Sequence, residues 1–222
     1  FVRTEARAPA PMMPLTLFRN RDFSGANALT VLLYAALGGA LFFLPFLLIN
    51  GHGYSALAAG SAFLPFSLIM GLGSRWSGGL VDSLGARAPL VIGPALTAAG
   101  YVALGLAGGN PSYWTGVLPG LLLVSIGMTI AVPPLTTTVF NAAPDDKSGT
   151  TSGINNAAAR AGSLLAVAAL GLTIGGSAMD SGAAGLVDAY RLTMWAAGGL
   201  AALSSLTAAL TITPHAATRG GA

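Results

Sequence analysis

Six apolar runs, at 24–49, 57–76, 89–107, 113–140, 152–176 and 192–212, take up most of this chain and leave little else for it to fold from. Each is close to or beyond the roughly 20 residues with which a helix crosses a bilayer. A soluble fold would need a charged coat of about a quarter of its residues. Here 8% are charged and 54% hydrophobic, with a mean hydropathy of +0.72, so lipid rather than water is the solvent. Ala, Leu and Gly outnumber Val and Ile, and the alternation of barrel strands is missing, so the spans are helices. The expected class is an all-α membrane protein with six transmembrane helices. The first and fourth runs are longer than a bilayer core requires and are expected to tilt or project into the interface.

Charge orients the bundle. Arg3, Arg7, Arg19 and Arg21 precede the first span, Arg75 and Arg87 lie between the second and third, Lys147 and Arg160 lie around the fourth-to-fifth turn, and Arg219 follows the sixth. The alternate connections, around Gly51-His52-Gly53, Gly109-Asn110-Pro111 and Asp180 to Asp188, offer only Arg191. Nine of the ten basic residues therefore share one side, which the positive-inside rule makes cytoplasmic. An even number of spans independently requires both termini on one side. The chain divides into a cytoplasmic approach segment (1–23), a six-helix bundle (24–212) and a cytoplasmic tail (213–222) in an inner or plasma membrane. The pI near 9.7 then reflects this asymmetry, and no nucleic-acid partner is expected. The opening Phe1-Val2-Arg3-Thr4-Glu5 has neither initiator Met nor apolar leader and reads as the inside of a longer protein.

Chemistry is scarce. There is no Cys, so disulfides and thiolate metal sites are excluded. HExxH, GxSxG and GxxxxGK are missing, as are paired intramembrane aspartates, so neither an enzyme nor a cofactor or metal is expected. His52 and His215 lie outside the spans and are assigned to no metal or proton relay. Pro45, Pro65, Pro94, Pro119, Pro133 and Pro134 should each bend a helix or mark where it yields. The pairs Gly116/Gly120 and Gly171/Gly175 are spaced for close helix approach, as static packing or as sliding faces.

A short polar turn, Gly78-Gly79-Leu80-Val81-Asp82-Ser83-Leu84-Gly85-Ala86-Arg87, separates the second and third spans. Gly78 and Gly79 close one span and admit a neighbouring helix, and Gly85 permits a left-handed bend. Asp82 can face a helix N-terminus or an Arg, while Arg87 can pair with Asp82 or with lipid phosphate. Pro89 starts the third span, where proline is tolerated.

This turn resembles the signature loop of the major facilitator superfamily, Gly-x-Leu-Ala-Asp-Arg-x-Gly-Arg-Arg/Lys, through Gly78, Leu80, Asp82, Gly85 and Arg87. It departs at Ser83 and Ala86, as the degenerate copy in the family's C-terminal half does. The segment from Pro14 to Phe23 is similar to the amphipathic approach to the seventh-from-last region of drug:proton antiporters with fourteen spans. Pro133 to Thr137 and Gly149 to Arg160 are similar to their penultimate cytoplasmic turn and the helix after it. The resemblance implies the C-terminal six-helix bundle of such an exporter, partnered by a missing N-terminal half of six or eight spans. It further implies a central cavity lined by the first, second, fourth and fifth spans, with the third and sixth facing lipid.

A cavity for amphipathic organic compounds wants aromatic walls with scattered hydrogen-bonding groups. Asn27, Tyr34, Phe42, Phe43 and Phe46 in the first span, and Phe63 and Phe66 in the second, are candidates, although aromatics also fill gaps or face lipid. Asn27 and Tyr34 stand out as polar groups in apolar surroundings. In the fifth span Asn155, Asn156 and Arg160 are candidates, with Asn156 and Arg160 on one face. Arg160 either meets an anionic group or snorkels to cytoplasmic water. All seven acidic residues, Glu5, Asp22, Asp82, Asp145, Asp146, Asp180 and Asp188, lie at or beyond span ends. A proton-coupling carboxylate is therefore expected in the absent half. The leading expectation is export of small organic compounds, drugs among them, in exchange for protons by alternating access. The alternatives are a carrier for a metabolite or sugar, and a self-contained six-span homodimeric pore or scaffold.

Overall fold

The computed structural model describes residues 13–144, 147–174 and 182–214, and every regular element among them is helical. In chain order these are α1 (Arg21–Phe46), α2 (Ala56–Ser61), α3 (Leu64–Ser77), α4 (Leu80–Leu84), α5 (Arg87–Ala107), α6 (Leu118–Asn141), α7 (Ser148–Ile174) and α8 (Gly182–Thr211). A 3-10 turn, Leu15–Arg19, leads into α1, and π-helical turns at Leu47–Gly51 and Tyr113–Val117 extend α1 and open α6.

Among the described residues five stretches are long and apolar enough to cross a membrane: Arg21–Gly51, Ala56–Ser77, Arg87–Ala107, Tyr113–Asn141 and Ala184–Thr211. The fifth expected span corresponds to α7, which is 27 residues long, but Asn155, Asn156 and Arg160 make its first half polar. Its expected last residues, Gly175 and Gly176, lie outside the described residues. At 1.5 Å per residue the 21 residues of α5 cover about 31 Å, close to the thickness of a hydrocarbon core.

The prolines act in two ways. Pro65 and Pro119 sit in the first turns of α3 and α6, where a missing N–H leaves no gap in the ladder. Both mark breaks: the second span is interrupted at Ala62–Phe63, and the fourth changes from π to α at Val117. Pro45, Pro94, Pro133 and Pro134 lie inside continuing helices. The last helix starts well before the expected 192, so Asp188 and Arg191 belong to α8 and not to a connection. They pair with each other at 3.6 Å on its exposed surface, which lets both charges stay solvated on a helix.

The helices pack in the order α3, α6, α5, α8, α1, α7, each chiefly against its neighbours in that series. Phe23, Leu29, Leu33, Tyr101, Met128, Tyr190 and Met194 fill the interior. The tightest seam joins α5 and α6. A Cβ at Gly93 would stand 2.7 Å from the Gly127 carbonyl, and one at Gly100 2.8 Å from the Gly120 carbonyl. Gly116, by contrast, faces the Asn110 carbonyl just before it, so Gly116/Gly120 is not the packing unit, and Gly171 meets nothing within 4 Å among the described residues. Gly175 lies outside the described residues.

Basic residues gather at one end. There the start of α1 holds two helix C-termini: Asn20 Nδ2 donates to Ala142 O at 2.9 Å, and the Asp22 carboxylate accepts from Thr213 N–H and O–H, both at 2.9 Å. At the other end Tyr54 O–H donates to Pro111 O at 2.8 Å. Trp76 lies near the basic end and Trp114 near the opposite one, both largely exposed, as tryptophans at the two membrane–water interfaces are.

Candidate functional site

The polar residues of the first and fifth spans meet. Asn155 Nδ2 on α7 donates to Thr30 Oγ1 at 2.8 Å and to Asn27 Oδ1 at 3.4 Å on α1. Asn27 is buried and its own Nδ2 donates to Phe23 O at 2.8 Å, so its amide is oriented from both ends. Two turns along, Ser163 Oγ donates to the carbonyl of Tyr34 at 3.0 Å. Close approach makes these bonds possible: a Cβ at Gly38 would stand 2.8 Å from Ser163 Cα. Tyr34 itself is half-buried beside this seam.

Asn156 and Arg160 point the other way. Both are exposed, and Asn156 Nδ2 only reaches back to Ser152 O at 3.1 Å. On α7 one amide thus fastens the helix to the bundle while its neighbour, a third of a turn on, presents itself outward with the guanidinium. Thr30 escaped the sequence reading, as did Thr151, which is fully buried with an unpartnered hydroxyl. The available signal was spacing: Thr30 is three residues from Asn27, and Thr151 four from Asn155.

The aromatic candidates do not form one wall. Phe42 is 53% exposed while Phe43, the next residue, is buried edge-on to Phe46 and near Tyr190. Phe63 and Phe66 turn instead toward a void of about 10 Å³ shared with Leu41, Leu44 and Tyr101. A hollow of about 350 Å³ lies elsewhere, between α7 and α8 over the Ala36 and Gly39 surface of α1. It contains none of the candidates, and the hydroxyl of Thr193 on its wall is committed to Ala189 O at 2.8 Å.

The turn packs against the end of α8 and the residues after it. Gly85 has φ +74° and lies against the Pro214 carbonyl, so a side chain there would be strained and would clash. Arg87 Nη2 donates to Ala209 O, near the C-terminus of α8, where a cation also favours the helix dipole. Among the described residues, a Cβ at Gly78 or Gly79 would meet only the carbonyls of Ser74 and Trp76 within 4 Å. Leu80 begins the short α4, which also contains Asp82; the Asp82 side chain lies outside the described part of the structure.

Among the described residues no cluster of acidic or imidazole groups is suited to a metal ion. His52, just beyond the first span, has both ring nitrogens buried without a sound hydrogen bond. Burial pushes its pKa below the usual imidazole value, with the Gly108 backbone opposing more weakly.

Comparison with known proteins gives this geometry its context. The family model described as Major Facilitator Superfamily matches residues 2–167. The chain is 31% identical over 177 residues to the tetracenomycin C resistance and export protein of Streptomyces glaucescens, covering 78% of this chain and 32% of that protein. It is 34% identical over 171 residues to the multidrug resistance protein Stp of Mycobacterium tuberculosis, covering 77% and 32%. Against the quinolone resistance protein NorB of Staphylococcus aureus it is 28% identical over 205 residues, covering 92% and 43%. The chain thus spans about a third of the length of the first two relatives and less than half of the third.

Proposed function

The chain belongs to the major facilitator superfamily and is a multi-pass membrane protein, and from that premise we propose that it forms the C-terminal half of an exporter for small organic compounds. The relatives named for resistance to, or export of, tetracenomycin C, multiple drugs and quinolones support drugs as the substrate class. In this reading the remaining length of the protein supplies the other half-bundle, substrate binds between the halves, and access alternates as they rock. Both ends of this half-bundle lie in the cytoplasm, and the proton that drives export is carried by the other half.

The observation that carries this reading is the division of labour on α7. Asn155 fixes the helix to α1, and Asn156 and Arg160 are then held outward from an otherwise apolar bundle. A polar pair that the fold does not use internally is what a binding wall supplies. It can donate hydrogen bonds and bear a fixed charge, and no bond-making chemistry is required of it. Everted vesicles carrying the intact gene product are expected to accumulate ethidium when energised, and to lose that accumulation when a protonophore collapses the proton gradient. Accumulation that survives the protonophore would remove the proton from the scheme. No accumulation of any of a panel of organic cations would remove the drug reading.

A further inference from the structure

We propose that Arg160 pairs, across the interface between the two halves of the protein, with a membrane-embedded carboxylate of the other half, and that protonating this carboxylate tips the carrier toward its cytoplasm-open state. The pair rests on the exporter reading and gives this half-bundle its own part in proton coupling.

Depth sets Arg160 apart from the other basic residues. It stands about 18 Å along α7 from Ser148. The helix runs beside α1 from the Asn155 bond to Thr30 as far as Gly162, which lies against the Val31 backbone, about 15 Å along α1 from Arg21. Arg160 is therefore near the middle of a hydrocarbon core of roughly 30 Å, too deep for a side chain leaning back toward the helix start to reach interfacial water. Nor can it turn inward, because Asn155 and Ser163, bonded to Thr30 and to the Tyr34 carbonyl, fix the rotation of α7 against α1. Among the described residues it has no ion pair: Asp22 is engaged by Thr213 and Asp188 by Arg191. Of the helices packed on α7, α6 brings no ionisable side chain and α1 brings Arg21, Asp22 and Tyr34. A phenol is no counter-charge near neutral pH. Every other acid of the chain lies at or beyond a span end.

A guanidinium keeps its charge, so in a dry site it needs a fixed counter-charge from outside this half-bundle. The surface around it has room for one. A Cβ at Gly153 would meet nothing within 4 Å among the described residues, and Ala157 and Ala161 are exposed. A helix can approach there closely enough for an acidic side chain to accept two guanidinium hydrogen bonds. This chain spans less than half the length of its relatives, which leaves helices to carry that acid. The pair also has the right sign for antiport. With the cytoplasmic side closed the site is dry, and Arg160 needs the carboxylate ionised. A proton taken from outer water neutralises the carboxylate and leaves a buried cation without compensation. Water restores it along the face of Ser152, Gly153 and Asn156, which leads to the cytoplasmic start of α7. Inward opening thus follows protonation, and the proton departs to cytoplasmic water.

Two measurements on the intact gene product test this. Dicyclohexylcarbodiimide modifies a membrane-embedded carboxyl group only in its protonated form. In nanodiscs at mildly alkaline pH the paired carboxylate of wild-type protein should escape it. Arg160→Gln should admit it at one site of the other half, with the half-labelling pH raised by about 1–3 units, because a cation beside a carboxylate holds its pKa down by that much. Arg160→Lys keeps the charge and should restore most of the wild-type curve. Identical curves for wild type and Arg160→Gln, or a newly labelled carboxyl within residues 1–222, overturn the pair; Arg160→Met serves in the same way if Arg160→Gln does not fold. In proteoliposomes, the pH of half-maximal ethidium–proton exchange should move in the alkaline direction by a similar amount in Arg160→Gln. A lower rate with no move of the profile would also overturn the pair. Wild-type protein that moves no ethidium speaks against the exporter reading, and the carbodiimide curves then decide the pair by themselves.

Discussion

Asn155 and Asn156 are neighbours with opposite duties, and substitution should separate them. Asn155→Ala removes the bonds to Thr30 and Asn27 and is expected to lower stability by about 1 kcal/mol, read as a lower unfolding midpoint in detergent. Asn156→Ala gives up only contacts to Ser152, so it should leave the midpoint in place and raise the KM for an exported cation. The reverse pattern would exchange their roles. Asn27 and Asn155 were legible in the sequence because an amide in a hydrocarbon run is rare. Thr30 was not, because a helical threonine usually satisfies itself on the carbonyl four residues back, and this one does so too, on Ala26 O at 2.8 Å. His52 adds a dependence on pH. With its pKa lowered in the fold, the unfolded end of the span binds more protons between that value and about 6.5, so order there rises with pH in this window and weakens on acidification. Hydrogen exchange at the His52 and Tyr54 amides, which bond to Leu47 O and Leu48 O, should therefore quicken at acid pH after correction for intrinsic rates. The His52→Gln variant should show no such step.

Between elements, the decisive spacing is seven rather than four. Gly93 and Gly100 on α5 meet Gly127 and Gly120 on α6, two turns apart on each helix, and the backbones touch where side chains would normally intervene. A methyl at Gly127 would stand 2.5 Å from Gly93 O, which a packed seam can relieve only by separating the helices. Gly127→Ala is expected to destabilise by roughly 1–3 kcal/mol. Gly199→Ala, where a Cβ meets nothing within 4 Å, should be neutral or stabilising through helix propensity. Equal midpoints for the two variants would show that the seam yields. The sequence offered several glycine pairs at four and at seven, and only the facing helix decides which pair is used. Element ends were legible for a similar reason and with a similar limit. The third and fourth spans came within two residues of α5 and of Tyr113–Asn141, because Pro, Gly and charge frame them. The start of α8 was missed, because Asp188 and Arg191 look like a connection until they are seen to pair along a helix.

For the whole molecule, the same contacts that close the bundle divide it into two ends, and the two ends should face different compartments. Asn20, Asp22 and Arg87 tie together the start of α1, the start of α5 and the ends of α6 and α8. Tyr54 and Tyr113 tie the first two connections of the opposite end to each other and to the break in the second span. A helix that begins in one group must finish in the other, so the spans run alternately up and down. Only the assignment of the groups to cell compartments is left to the charge asymmetry. Ser83 in α4 and Ser112 before Tyr113 are exposed, lie in opposite groups, and occur in a chain without cysteine. A membrane-impermeant maleimide is expected to label Ser112→Cys in intact cells and Ser83→Cys only after permeabilisation. Reversed accessibility would invert the orientation but keep the fold. Labelling of both from outside would break the two-ended bundle itself, and with it the proposal that Asn156 and Arg160 stand on the wall of a path between compartments.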